Sequence, residues 1–289
     1  MWWLQSCWCG WAVRCSVIAV ISLGKGSFVS LNESAAAAIK KKVTLLDESF
    51  GRFAVRAILA GVYLAIGTAF AAVLGQAVEK HAEGLGAPVF ALFFGLGLFA
   101  IVILGAELAT GSMMYVVYGA INKQVGWGKG LWLLIVTTFF NLVGAALFAA
   151  AMGMSAKLGH IDPTHLISTL TMGKLEKDPA GLLVEGMLAN FVVNMAIVGA
   201  VFAKDIVSKF FVVVPIIACF VGLSLEHVIA NFCLMTLTFF CSTPLPDGFT
   251  LGAVLTNWSL VWIGNVIGGG FLIGGVYAWL NKGPEAYRD

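Results

Sequence analysis

Two apolar stretches of this chain are each interrupted by a short polar segment. The first, Phe90 to Tyr118, is broken at Gly105-Ala106-Glu107-Leu108-Ala109-Thr110-Gly111. The second, Phe210 to Phe240, is broken at Leu223-Ser224-Leu225-Glu226-His227-Val228-Ile229-Ala230-Asn231. Ionisable side chains at membrane depth are costly and mark functional sites. Interrupted spans at matching positions of two halves point to a transport site.

The membrane assignment rests on charge. Of 289 residues, 60% are hydrophobic and 11% charged, against about 25% charged in a soluble domain. Too little polar surface remains for a soluble protein, and the class is polytopic membrane protein. No basic run is interleaved with aromatics, so nucleic-acid binding has nothing to rest on. The six cysteines, Cys7, Cys9, Cys15, Cys219, Cys233 and Cys241, form no CxxC pair. They fit no disulfide framework or common zinc spacing, and the last three read as packing residues. His160, His165 and Asp162 are too loosely spaced for a metal site, and no cofactor or metal is expected.

Six spans can be drawn: Arg56 to Leu74, Pro88 to Ile121 (broken), Leu131 to Met152, Leu182 to Phe202, Phe210 to Phe240 (broken) and Leu255 to Leu280. The unbroken ones are near the ~20 residues needed to cross hydrocarbon. Small residues recur within them, at Gly144-Ala145-Ala146 and Gly268-Gly269-Gly270, as close helix contact in lipid favours. Eleven Lys and Arg flank the amino-terminal side, including Lys40, Lys41, Lys42, Arg52 and Arg56. Four, Lys80, Lys157, Lys174 and Lys177, flank the other. The bias places both termini in the cytoplasm of a multi-pass cell-membrane protein.

The halves echo each other. Asn141 pairs with Asn265, Gly61 with Asn190 and Glu107 with Glu226, at intervals of 124, 129 and 119 residues. A three-span unit used twice turns its second copy upside down. The expected fold is therefore all-α integral membrane: six transmembrane helices with broken second and fifth helices, an inverted 3+3 repeat. The expected divisions are a non-spanning extension at 1–30, a cytoplasmic interfacial helix at 31–50, and a six-span domain at 51–282 with repeats at 51–152 and 180–282. A cytoplasmic tail follows at 283–289. Lys40 to Lys42 would face anionic headgroups.

At these motifs the chain resembles the formate/nitrite transporter family over roughly residues 31–282. The carrying residues are Gly105-Ala106-Glu107-Leu108-x-Thr110-Gly111, Asn141-x-x-Gly144-Ala145, Leu188-Ala189-Asn190 and Leu225-Glu226-His227-x-x-Ala230-Asn231. The resemblance implies an aquaporin-like protomer in a homopentamer, with a pore in each protomer for formate, nitrite or hydrosulfide. It implies His227 as central histidine and Thr110 as its loop partner. Phe94, Leu98, Leu108 and Phe220 become constrictions, and Lys174 an anion-attracting residue, with Lys177 a near alternative. The family usually has Phe where this chain has Ala109, which would loosen the loop or widen the vestibule.

The chemistry fits these residue types. An anion must cross an apolar pore without being held there, since conduction needs exit as well as entry. Histidine changes charge near physiological pH. A charged His227 would attract formate and pass it a proton, and the neutral acid then crosses Phe and Leu at lower desolvation cost. Glu107 and Glu226 would repel an anion, so they read as acceptors for backbone N–H groups freed by the breaks. Asn190 and Asn231 read as further anchors. Lys174 enriches anions at the outer mouth in a salt-screened manner.

The partners expected are therefore a small anion, formate first and nitrite next, together with protons and membrane lipid. A passive neutral-solute channel is the competing reading, but the chain lacks Asn-Pro-Ala boxes and a pore Arg. A membrane enzyme needs a nucleophile and base at one depth, and neither GxSxG nor HExxH occurs.

Overall fold

The computed structural model describes residues 30–284. The expected extension at 1–30 and tail at 283–289 lie almost wholly outside them. Among the described residues the chain is helical, apart from one parallel bridge pairing Ile161 with Ser242.

Helix α1 (Leu31–Glu48) begins where the Ser30 side chain accepts from Glu33 N–H. It is followed by α2 (Phe50–Glu79), α3 (Gly86–Leu104), α4 (Ala109–Ile121) and α5 (Trp127–Gly153). A short α6 (Leu166–Leu175) leads to α7 (Pro179–Phe202), then α8 (Ile206–Gly222) and α9 (Val228–Cys241). The last helix, α10 (Leu251–Leu280), contains a π-helical stretch at Val266–Gly275. Six crossings result: α2, α3 with α4, α5, α7, α8 with α9, and α10. The expected spans are recovered, with ends that lie up to six residues further out. Helix α6 is an addition within a stretch that reads from sequence as an outer loop.

The breaks have local causes. Gly105 takes a left-handed φ of 67° and Ser224 one of 54°, conformations that end α-helices. Ala106 N–H then returns to Ile101 O at 3.1 Å, and Leu225 N–H to Phe220 O at 3.2 Å. These bonds satisfy carbonyls that each helix end leaves open. The chain runs extended through Leu108 and His227 before helix resumes.

Packing follows the repeat. Helix α2 lies against α3 and α5, and α7 lies against α8 and α10. The second halves of the broken helices cross over: α4 packs on the π-helical part of α10, and α9 packs on α5. Close approach requires glycine at paired positions. A Cβ on Gly144 would meet the Ile58 carbonyl, and one on Gly268 the Met187 carbonyl. The exterior is apolar, with Leu92, Phe139, Leu147 and Phe211 exposed, as a hydrocarbon surround demands.

Gly268→Val therefore forces α7 and α10 apart, and we expect a loss of about 3 kcal/mol. Gly252→Ala, with nothing within 4 Å of the new atom, should stay within about 0.5 kcal/mol. Thermal unfolding of the two variants in detergent makes the comparison.

Candidate functional site

The two breaks are held by two asparagines. Asn141 of α5 accepts from Ala109 N–H at 2.9 Å and donates to the carbonyls of Ala57 and Glu107 at 2.7 and 2.9 Å. Asn265 of α10 accepts from Val228 N–H at 2.9 Å and donates to those of Gly186 and Glu226 at 2.7 and 2.9 Å. Both side chains are fully buried. Partners and distances match across the repeat.

This arrangement corrects the role expected for the carboxylates. A carboxylate only accepts, whereas each break needs one acceptor and two donors at once, which an amide provides. Glu107 and Glu226 instead receive lysines. Glu107 pairs with Lys42, which also reaches Ser112 at 3.2 Å. Glu226 receives Lys174 at 2.9 Å, Lys177 at 2.8 Å and Asn231 Nδ2 at 2.6 Å. Asn231 also donates to Asn257. Asn190 donates to the carbonyls of Thr110 and Asn265 at 3.2 and 2.8 Å, tying the start of α4 to α10. Asn194 joins it on Thr110 O.

Between the breaks lies a buried polar pair. His227 starts α9, and its Nδ1 accepts from Ala230 N–H at 3.0 Å. Its Nε2 lies 2.8 Å from Thr110 Oγ1. A ring whose Nδ1 accepts carries its proton on Nε2 when neutral, so we assign His227 as donor to Thr110. Charging the ring requires a proton on Nδ1 and costs this helix cap. The His227 and Phe220 ring centroids are 5.8 Å apart, as are those of Phe220 and Phe94.

Two cavities approach this pair. One, of about 430 Å³, is lined by Phe90, Phe94, Phe220, Leu225, Lys174 and Lys177 among others. The other, of about 270 Å³, is lined by Lys41, Lys42, Leu98, Leu108, Glu107 and Tyr115 among others. Phe94 and Phe220 thus face the first, and Leu98 and Leu108 the second. His227 and Thr110 line neither. Phe220, next to the His227 ring, lines the first cavity, and Leu108 and Gly111, which flank Thr110 in the chain, line the second. Ala109 also lines neither cavity; it is buried in the core with its N–H on Asn141.

Lysines mark both cavities. Lys42 points inward onto Glu107 and lies 5.7 Å from the Tyr115 ring centroid, not toward headgroups as expected. A sequence signal for this exists. Lys42 falls in the stripe Leu31, Ala35, Ile39 and Leu46 that α1 buries. On the opposite side Lys177 binds Glu185, Ser224 O at 2.7 Å and Glu226. Burial works against its charge, but the Glu226 and Glu185 carboxylates outweigh it and hold the ammonium above its ordinary pKa. His165 and Asp162 are occupied in local turns, accepting from Ile167 and Thr164 N–H respectively.

Comparison with known proteins gives this geometry its context. Residues 30–279 match the family model described as Formate/nitrite transporter. The probable formate transporter of Methanothermobacter thermautotrophicus is 29% identical, over 84% of this chain and 92% of its own length. The nitrite transporter NirC of Escherichia coli is 27% identical, over 82% and 85%. A solved FNT family ion channel superposes with a TM-score of 0.80 at 26% identity, covering 86% of this chain and 97% of that one. A pentameric formate channel with formate bound shares the fold, with a TM-score of 0.68 at 24% identity, over 79% and 96%. The chain belongs to the formate/nitrite transporter family.

Proposed function

We propose that the protein carries a small monovalent weak-acid anion across the cell membrane, formate first and nitrite next, through a pore in each protomer of a homopentamer. It performs no catalysis. The amino-terminal side, with Lys42, faces the cytoplasm, and the Lys174 side faces out. The observation that carries this reading is the His227–Thr110 pair, buried between two lysine-marked cavities and sealed from each by apolar side chains.

The steps follow from the residues. Lys174 and Lys42 enrich anions at the two mouths; each is tied to a carboxylate, so neither retains its anion. At the centre the ring is neutral at rest because its Nδ1 holds the start of α9. An anion at the Thr110 hydroxyl changes the balance. Contact between unit charges is worth about 4 kcal/mol at an effective dielectric constant of ~20, and it has to offset both the lost helix cap, about 1 kcal/mol, and the cost of charging a buried ring. Thus His227 takes its charge only together with an anion. Proton and anion then combine, and the neutral acid passes Phe94 and Phe220, or Leu98 and Leu108, at far lower desolvation cost than the ion. Glu107, Glu226, Asn190 and Asn231 act as anchors, holding the lysines and the breaks in register.

The test is flux in proteoliposomes with formate and nitrite, with and without an inward proton gradient. Gradient-driven accumulation should fall about 100-fold or more in His227→Ala, the scale of a lost proton-transfer group, while the oligomer persists on size exclusion. Equal accumulation in wild type and variant would make His227 structural. Lys174→Gln should raise the half-saturating anion concentration, and the effect should shrink as added salt shortens the screening length to about 3 Å at 1 M.

A further inference from the structure

At each break a cation caps the carbonyl of the left-handed residue that ends the first half-helix. Arg56 Nη1 donates to Gly105 O at 3.1 Å, and Lys177 Nζ donates to Ser224 O at 2.7 Å. Gly105 and Ser224 are 119 residues apart, as are Glu107 and Glu226. The cations come from different places. Arg56 sits on α2, and its O accepts from Glu107 N–H. The residue at that place on α7, whose O accepts from Glu226 N–H, is Glu185. The second copy has an acid where the first has a base. Lys177 reaches in from the loop before α7 to do the capping, with Glu185 behind it.

The exchange alters the charge of the two mouths. The inner cavity is lined by Lys41, Lys42 and Lys209 against Glu107, with Arg56 beside it on Gly105. The outer cavity is lined by two charged groups, Lys174 and Lys177, and these face Glu226 and Glu185, so the four charges cancel. Glu226 is fully buried and bound by Asn231 and Asn257. Glu185 is the peripheral member, its side chain 32% exposed and paired with Lys177. The other acids nearest in sequence are Asp178, spent on capping α7 at Ala180 and Gly181 N–H, and Glu176, which does not line the cavity.

We infer that Glu185 is a specificity-determining residue that weakens anion capture at the outer mouth by neutralising Lys177, leaving the inner mouth the more strongly attracting of the two. The inference rests on the transport reading above. It gives Glu185 a task that capping does not require, since Lys177 still reaches Ser224 O without it. One unit charge near the vestibule shifts local anion concentration by about threefold at low ionic strength, and by little in high salt.

The test is entry of radiolabelled formate into cells expressing the full chain, which samples the outer mouth, at low and high ionic strength with osmolarity held constant. Glu185→Gln should lower the half-saturating concentration about threefold, Lys177→Gln should raise it by a similar factor, and the double variant should return close to wild type. Both single-variant differences should vanish at high salt. A double variant as impaired as Lys177→Gln, or an unchanged Glu185→Gln, overturns the inference and leaves the pair as a structural cap. If wild-type cells take up neither formate nor nitrite above the empty host, the transport reading fails before the variants are compared.

Discussion

Backbone groups at membrane depth must find partners within the protein, and a chain that breaks two helices there has to supply them deliberately. Asn141 and Asn265 do so. Each amide closes one break with one accepted and two donated bonds. Leaving such groups open costs about 1–3 kcal/mol apiece, so without these side chains neither Thr110 nor His227 would be held in place. The extended residues before α4 and α9 are what bring a hydroxyl and an imidazole to one point inside an apolar protein.

Much of this architecture was legible in the order of residues. Hydrophobic spans of the right length, two polar interruptions and a repeated Asn, Glu and Gly pattern lead to an inverted pair of three-span units. The approach of His227 to Thr110, residues 117 positions apart, could be read only through resemblance, because no local pattern relates the second span to the fifth. The carboxylates were harder. An acid beside a helix break suggests capping, and only the three-dimensional partners reveal that amides from other helices already fill that need. Lys42 was obscured by its neighbours: in a run of three lysines, composition suggests a headgroup-facing surface, while the 3.6-residue turn places one of the three on the buried stripe.

The charges divide into those that are fixed and the one that is conditional. Lys42, Lys174 and Lys177 are bound to carboxylates, which places positive ends near the mouths without leaving them bare. His227 is different, because its neutral form is in use as a helix start. Protonation at Nδ1 would compete with the bond from Ala230 N–H, and the proposed mechanism therefore ties the charge to the presence of a counterion. That links the electrostatics of the centre to the same backbone problem that the asparagines solve.

At the 119-residue interval that relates Glu107 to Glu226, His227 corresponds to Leu108 and Thr110 to Ile229, which has a consequence for how such a protein comes to exist. If the two units descend from one duplicated ancestor, the scaffold residues, Asn141 with Asn265 and Gly144 with Gly268, stayed alike in both copies because both breaks need closing. The two residues of the buried polar pair did not. One copy kept a hydroxyl and the other an imidazole, each facing an aliphatic side chain's worth of lost symmetry. Duplication would thus have supplied a symmetric frame, and divergence at two positions left at its centre a pair of unlike polar groups in hydrogen-bond contact.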